Sequence, residues 1–457
     1  MAGSEMYPRF ADSVRLAKRE ENHLMFEVGG SGKVELRARS AGLADAMTGL
    51  IEGGKSESEL AEMAGQTGGM EDAARFYLFL ESFKKRQLVG YDWRFGGTVH
   101  AFLEPVAPDF KLSDVPLPVD ADLTLSRFAY ARQDDGRFVL ESPDAPCRIE
   151  LKTPWAVSWL GRLAVANPVD DDGFSAFSEL LWRAGFAQET DREESNDRTT
   201  WEFHDRLLHT QSREGFSGRP LGGTYRFQDR FPPPPALKPP MSTDQIALEK
   251  PDMDQLAGQG ESLSSVMERR RSVREFDDKT PVDLTQLSKI LYRVARVREV
   301  IQNPVQEGMF RPFPSGGAIH ELEFYLAVRT CDGLDRGLYH YQGNEHALYC
   351  LPAAEGDVDA LIRDAAMAMG QPDNPPQCLV ILASRLPRLA WKYEGIAYRL
   401  TLMNAGVIIQ SLYLVATEMG VACSAIGTGN SSTFAAATGL DPLKETSVGE
   451  FALGSRA

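Results

Sequence analysis

Residues 391–427 read WKYEGIAYRLTLMNAGVIIQSLYLVATEMGVACSAIG. Within this stretch Leu402, Ala405, Ile409, Leu412, Ala416 and Met419 recur at alternating steps of three and four, and Met403, Val407, Ile408, Leu414 and Val415 fill the opposite side. The pattern predicts a helix buried on every side. Asn404, Gln410, Ser411, Thr417 and Glu418 interrupt it, so no apolar run is long enough to cross a bilayer. The expectation is a core spine that also serves as an oligomer interface. Directly ahead of it stand Lys392, Tyr393, Glu394, Tyr398 and Arg399, ionisable and hydroxyl groups at the mouth of an oily element. Chemistry would suit that mouth.

Outward from the spine, SLSSVMERRRSVREFDDKTPVDLTQLSKILYRVARV reads as a helix, a charged turn and a second helix. Pro281 and Asp283 start the second helix, and Leu284, Leu287, Ile290, Leu291 and Val294 form its apolar face. EFYLAVR, the hairpin-like GLYHYQGNEHALYCL, QCLVILAS and VGEFALGSRA read as strands. Strands interleaved with long helices indicate an α+β sheet domain over 251–457.

A chain of 457 residues is too long for one ordinary core. A net charge of -16 argues against nucleic acid and anionic membranes as partners, because both require clustered cations. Cys147, Cys331, Cys350, Cys378 and Cys423 are odd in number and widely spaced, which suggests neither a disulfide framework nor a zinc site. The N-terminal residues lack an apolar segment of signal-peptide length, so a cytoplasmic location is expected.

In the N-terminal half, strand-like KVELRAR leads into LADAMTGLIEGG, SESELAEMAG and MEDAARFYLFLESFKKRQLVGYDWR, with Ser56 and Ser58 as candidate N-caps. Helices followed by a strand give a winged-helix outline over 1–105. FVLES, CRIELK, TPWAVSWLGRLAV and FSAFSELLWRAGFAQE repeat it over 106–230, as a diverged duplication. Winged helices often read DNA, but the acidic balance and the Trp155, Trp159 and Trp182 surface suit peptide capture or a plain spacer better. Residues 201–227 read as an extended connector lying across another domain. PPPPALKPPM at 232–241 marks a stiff linker and a domain boundary, giving a linker over 231–250. His204 and His209 miss the helical metal spacing, so no metal site is expected.

Arg269, Arg270, Arg271, Ser272 and Arg274 form the sharpest cationic cluster of an acidic chain. Guanidiniums beside a hydroxyl can hold a phosphate monoester, although a solvated helix end has the same composition. Arg456 after Gly454 is a second phosphate-compatible group, and Pro314, Ser315, Gly316 and Gly317 would let backbone approach a flat ring. Together they suggest a planar cofactor with a phosphate tail.

RRSVREF, PSGGA, KYEGIAYR, MNAGVIIQSLYLVATEMG and EFALGSR resemble the flavin-dependent nitroreductase superfamily, and more narrowly its SagB-type azoline oxidases. The likeness covers about 261–457. WEFHDRLLHTQSR and GTYRF extend it to the three-part cyanobactin thiazoline oxidases, in which paired winged-helix-like domains precede the oxidase. The resemblance implies a nitroreductase-like FMN-binding domain, with phosphate and ribityl contacts on Arg270, Arg271, Ser272 and Arg274 and a later phosphate contact on Arg456. It implies flavin contacts on Ser315 and Gly316, and a backbone segment near the reactive ring edge on Ala425, Ile426 and Gly427. The branch's Lys-Tyr pair falls on Lys392 and Tyr393.

The implied reaction dehydrogenates a thiazoline or oxazoline in a ribosomally made peptide, with oxygen regenerating the flavin. A desolvated lysine suits removal of the ring proton, and Tyr393 can orient the ring. The implied partners are an azoline-containing precursor peptide, a cyclodehydratase and a second copy of the chain. Two other readings stay open: an NAD(P)H-dependent nitro or quinone reductase, and a non-catalytic peptide-binding scaffold. Ile319 and His320 depart from the family's pattern after the PSGGA turn, and His320 is expected to be a satisfied polar residue rather than an acid-base group.

Overall fold

The computed structural model describes residues 4–29, 32–118, 121–169, 171–214 and 220–457. The chain divides into two compact units, Met1–Pro220 and Leu221–Ala457.

The first unit opens with strands the sequence reading did not anticipate: β1 (Ser4–Phe10), β2 (Val14–Glu20) and β3 (His23–Val28), followed by β4 (Gly32–Arg37). β2, β3 and β4 form a three-stranded antiparallel sheet. β2 is charged on most of its exposed positions, which hides its strand character from an apolar pattern. Helices α1 (Ala41–Glu52) and α2 (Glu57–Lys85) follow. Ser56 caps α2 through a reciprocal capping box with Glu59, while Gly69, at φ +67°, kinks it midway. Next come β5 (Val89–Phe95), β6 (Thr98–Pro105), β7 (Leu123–Leu125), β8 (Tyr130–Asp134), β9 (Arg137–Glu141) and β10 (Cys147–Leu151). The unit continues with α3 (Pro154–Ala164), α4 (Asp172–Arg183), β11 (Ala187–Glu189), α5 (Asn196–Thr199) and α6 (Phe203–Gln211).

A hydrophobic core does form in each half, one around Phe26, Leu43 and Phe76 and the other around Trp159, Phe177 and Phe186. The halves are nevertheless not separate domains. β6 pairs with β10, Pro105 opposite Cys147 and Ala101 opposite Leu151, so one six-stranded sheet runs through both in the order β1-β5-β6-β10-β9-β8. Trp93, Ala101 and Leu103 of the first half lie in the second core. Local periodicity finds strands, but which free edges meet is a long-range choice.

The second unit begins with β12 (Gly222–Gly223), β13 (Gln245–Ala247), α7 (Met253–Gln259), α8 (Leu263–Arg269) and α9 (Leu284–Ala295). Asp283 caps α9 through a capping box with Gln286. β14 (Glu299–Ile301), β15 (Gly308–Phe310), β16 (Leu322–Val328), β17 (Gly337–Gln342), β18 (Ala347–Leu351), α10 (Glu355–Ala368) and β19 (Cys378–Ser384) follow. The last elements are α11 (Leu386–Lys392), β20 (Tyr393–Glu394), α12 (Ala397–Glu418), β21 (Ala422–Ile426), α13 (Ser431–Thr438) and β22 (Thr446–Gly454).

A seven-stranded antiparallel sheet, β13-β18-β17-β16-β19-β22-β21, forms the middle layer. β16 is buried along its whole length, because both faces of the sheet are covered. Leu322, Phe324, Leu326 and Val328 face the core shared with α9 and α12, while Tyr325 and Ala327 face the core shared with α10.

Two sequence expectations change here. The 232–241 stretch is not a free linker: Ala236 is 1 % exposed, and the carbonyls of Phe231, Pro234 and Pro235 accept hydrogen bonds from Trp391, Arg388 and Arg385. A polyproline segment makes no internal hydrogen bonds, so its carbonyls are open to such donors. In addition, α12 is not buried on every side. Thr401, Asn404, Ala405, Ile408, Leu412 and Ala416 face the core, whereas Leu402, Met403 and Val407 are 41 %, 56 % and 37 % exposed.

Candidate active site

Lys392 ends α11, a helix held by its neighbours rather than by its own seven residues. Arg388, one turn before the lysine, is fully buried, and its guanidinium donates to the carbonyls of Ile319 (2.9 Å), Pro234 (2.8 Å) and Glu307 (2.6 Å). Burial, together with the neighbouring Arg385 charge, pulls its pKa down to about 10. One side chain thus ties α11 to the 316–319 turn, the proline stretch and the β14–β15 loop. The end of α11, the turn and the β14–β15 loop wall a cavity of about 100 Å³ lined by Lys392, Tyr225, Gln306, Gly308, Gly317 and Ile319, among others.

Lys392 and Tyr393 meet the glycine turn directly. Gly317 adopts φ +59°, and a Cβ built there would lie 2.2 Å from Tyr393 Oη and 2.6 Å from Lys392 Nζ. Glycine suits the left-handed conformation, and a side chain there would have to displace Lys392 Nζ and Tyr393 Oη. The turn is held from below by α12: Asn404 Oδ1 accepts from Gly316 N (3.3 Å), and Asn404 Nδ2 donates to Ser315 Oγ (3.1 Å) and to the buried Glu321 carboxylate (3.0 Å). Leu400 packs beneath Gly316.

At the other end of α12, Tyr413 Oη lies 2.8 Å from Ser272 Oγ and accepts from Ala425 N at 2.7 Å. The Arg270 guanidinium lies 5.1 Å over the Tyr413 ring. Arg270 and Arg456 both act electrostatically on Cys423 in β21, and Arg456 bridges to Phe276. The structure thereby gathers Arg270, Ser272, Ala425 and Arg456. Ile426 is buried opposite Glu450, and Gly427 lies exposed beyond the strand. Arg271 and Arg274 are exposed on the same segment, without a contact to Tyr413. Among the described residues, none of Arg270, Arg271, Arg274 and Arg456 has a carboxylate within ion-pair distance, whereas Arg269 pairs with Glu261 at 2.6 Å. In a chain of net charge -16 such free guanidiniums fit an anionic group.

Comparison with known proteins matches residues 267–455 to the nitroreductase family and residues 123–217 to the cyanobactin oxidase ThcOx. The second unit carries a nitroreductase-family domain. MJ1384 of Methanocaldococcus jannaschii, named as a nitroreductase, is 29% identical over 40% of this chain and 85% of its own length. The microcin B17-processing protein McbC of Escherichia coli is 25% identical over 38% of this chain. The trifolitoxin-processing protein TfxB of Rhizobium leguminosarum bv. trifolii is 27% identical over 35%. The aligned part spans 62% of McbC and 43% of TfxB.

Within the nitroreductase domain the residues that shape the site without resembling catalysts escaped the sequence reading. Asn404 reads in the sequence only as a polar interruption of an apolar helix, and Tyr413 carries no signal there. Each is a hydrogen-bonding post for one end of the site, and their nine-residue spacing puts them roughly 14 Å apart along α12. Arg388 gave no signal beyond being a cation in an apolar run. His320 was expected to be satisfied, yet it is 3 % exposed and its Nδ1 has no partner among the described residues. Burial, then the Arg311 and Arg388 charges, push its pKa down to about 3. His320 is therefore neutral at physiological pH and packs edge-on against Phe313, which argues against proton transfer by this ring.

Proposed function

We propose that the nitroreductase domain binds FMN and oxidises azoline rings, thiazolines or oxazolines, to azoles in a ribosomally made peptide. The observation that carries this reading is the meeting of Lys392 Nζ, Tyr393 Oη and Gly317 at one end of α12, with unpaired guanidiniums at the other. The two ends suit a ring against the glycine turn and a phosphate against Arg270 and Arg456, with Ser272 as a hydroxyl contact. FMN would supply the acceptor for a hydride from one ring carbon.

This chain's residues manage the remaining proton. Lys392, as the free amine, takes it from the adjacent ring carbon, and Tyr393 Oη orients the heterocycle beside it. The missing side chain of Gly317 lets Lys392 Nζ and Tyr393 Oη approach the turn backbone closely. Asn404, Ser315 and Glu321 keep that turn fixed, so the geometry exists before substrate arrives. Similarity to McbC, TfxB and the cyanobactin oxidase model supports a peptide substrate over a free nitro compound. The first unit, with its winged-helix-like elements, holds the peptide outside the azoline, and a cyclodehydratase supplies the ring. Its expected setting is the cytoplasm.

The exposed Leu402, Met403 and Val407 face of α12 is covered by a second copy of the chain, which makes the working form a homodimer. Mass spectrometry of a cyclised peptide before and after incubation with FMN-loaded protein tests the activity: two hydrogens should be lost per ring. An unchanged mass, with the protein yellow and folded, would refute the azoline reading.

A further inference from the structure

The segment that begins the second unit does more than connect. Gly222 and Gly223 pair antiparallel with Glu394 and Tyr393, and Tyr225 N donates to Lys392 O at 3.2 Å. Glu394 clasps the same segment from its far side, accepting from Thr224 Oγ1 at 3.0 Å and pairing with Arg226 at 3.3 Å. Trp391 stands edge-on to the Tyr225 ring, 6.1 Å between centroids. The Tyr225 backbone is held at φ +54°, a left-handed conformation that a tyrosine adopts at a cost and that needs surrounding contacts to persist.

These contacts place the Tyr225 ring beside the reactive amine. Lys392 Nζ lies 5.8 Å from the Tyr225 centroid and 5.2 Å from that of Tyr393. Among the described residues no carboxylate comes within ion-pair distance of Lys392. The two aromatic rings confine the amine by packing, with no fixed anion beside it. Tyr225 also lines the cavity into which Lys392 projects.

We infer that Tyr225 is a positioning residue of the lysine site: it forms an aromatic wall that, with Tyr393, fixes the Lys392 side chain against the Gly317 turn. The inference rests on the reading of Lys392 as the base, and deepens it by making residues 222–226 part of the active site. Tyr225 acts through Lys392, so its ring matters and its hydroxyl does not.

The test uses the full chain loaded with FMN. Tyr225→Leu should lower kcat for azoline oxidation about 10- to 100-fold, the effect of misplacing a reacting group by roughly 1 Å, with KM for the peptide little changed. Tyr225→Phe, which keeps the ring, should restore kcat to within about threefold of the parent protein. A second readout needs no turnover. Acetic anhydride labelling of Lys392, read by mass spectrometry against the exposed Lys279, should rise several-fold in Tyr225→Leu and stay unchanged in Tyr225→Phe. Should Tyr225→Leu fail to fold, Thr224→Val/Arg226→Ala loosens the segment from its outer side and should raise labelling in the same direction. Equal labelling in a folded Tyr225→Leu and the parent protein overturns the inference. Raised labelling in Tyr225→Leu, with a parent protein that does not oxidise a cyclised peptide, sustains the wall and overturns only the azoline reading.

Discussion

The two ends of α12 are built on opposite principles. At the N-terminal end a hydrogen-bond network within the protein holds the turn: Asn404 binds Ser315, Gly316 and Glu321, and Arg388 binds three carbonyls. At the C-terminal end, Arg270 and Arg456 flank Tyr413 and Cys423 with no carboxylate partner among the described residues. A closed network fixes geometry, which suits proton transfer, whereas unpaired surface cations wait for a counter-charge, which suits capture of an anion. Substitutions at the first end should therefore disturb turnover and stability, and those at the second should disturb cofactor retention.

The largest effect is expected at the lysine. Lys392→Ala should reduce azoline oxidation by about 10²- to 10⁴-fold, the range for removing a general base, while the protein keeps its flavin absorbance. Loss of colour along with activity would erase the contrast between the two ends. Next in size is Arg388→Met, which strips the buried Ile319 carbonyl and two partly buried carbonyls of their donor and should destabilise the second unit by about 3 kcal/mol or more. For a unit of this size that is a fall in Tm of about 6 to 12 °C, readable by calorimetry.

At the opposite end, Arg270→Ala/Arg456→Ala should leave Tm nearly unchanged but weaken FMN binding by about 10- to 100-fold, the scale of lost charge-assisted hydrogen bonds. Fluorescence titration of the apoprotein measures it, and undiminished affinity would move the phosphate elsewhere. The smallest effect concerns His320. Its folded pKa of about 3 lies below the ordinary 6.5, so the unfolded chain takes up a proton first as pH falls. The associated stability is fully present above about pH 6.5 and is lost progressively toward pH 3. Between pH 7 and 5 the parent protein should therefore lose about 1–2 kcal/mol more than His320→Leu. Glu450, whose pKa burial raises to about 7, drives stability the other way but is common to both proteins and cancels in the difference.

Much of the second unit was legible locally. Asp283 begins α9 where its capping pattern says it should, and the strands at 322–328 and 378–384 coincide with apolar runs bounded by turns. Lys392, Tyr393 and the PSGGA turn stood out because ionisable groups and glycines are unusual beside an oily helix. The proline stretch misled because stiffness and carbonyl availability share one composition: the same segment can space two domains or be hydrogen-bonded into one. The helix at 397–418 misled in a related way, since an apolar side chain signals a partner without saying whether that partner lies in the same chain.

By itself the sequence determined that this chain contains an α+β domain with a buried helix, a lysine-tyrosine pair at its head and arginines suited to phosphate. Those features rest on periodicity, capping and charge, which act over a few residues. The tertiary structure alone decided that Gly317 lies against Lys392 and Tyr393, that Tyr225 covers the lysine, and that the N-terminal halves share one sheet. These are contacts between residues distant in the chain, selected by packing and hydrogen-bond satisfaction, and no local pattern encodes them.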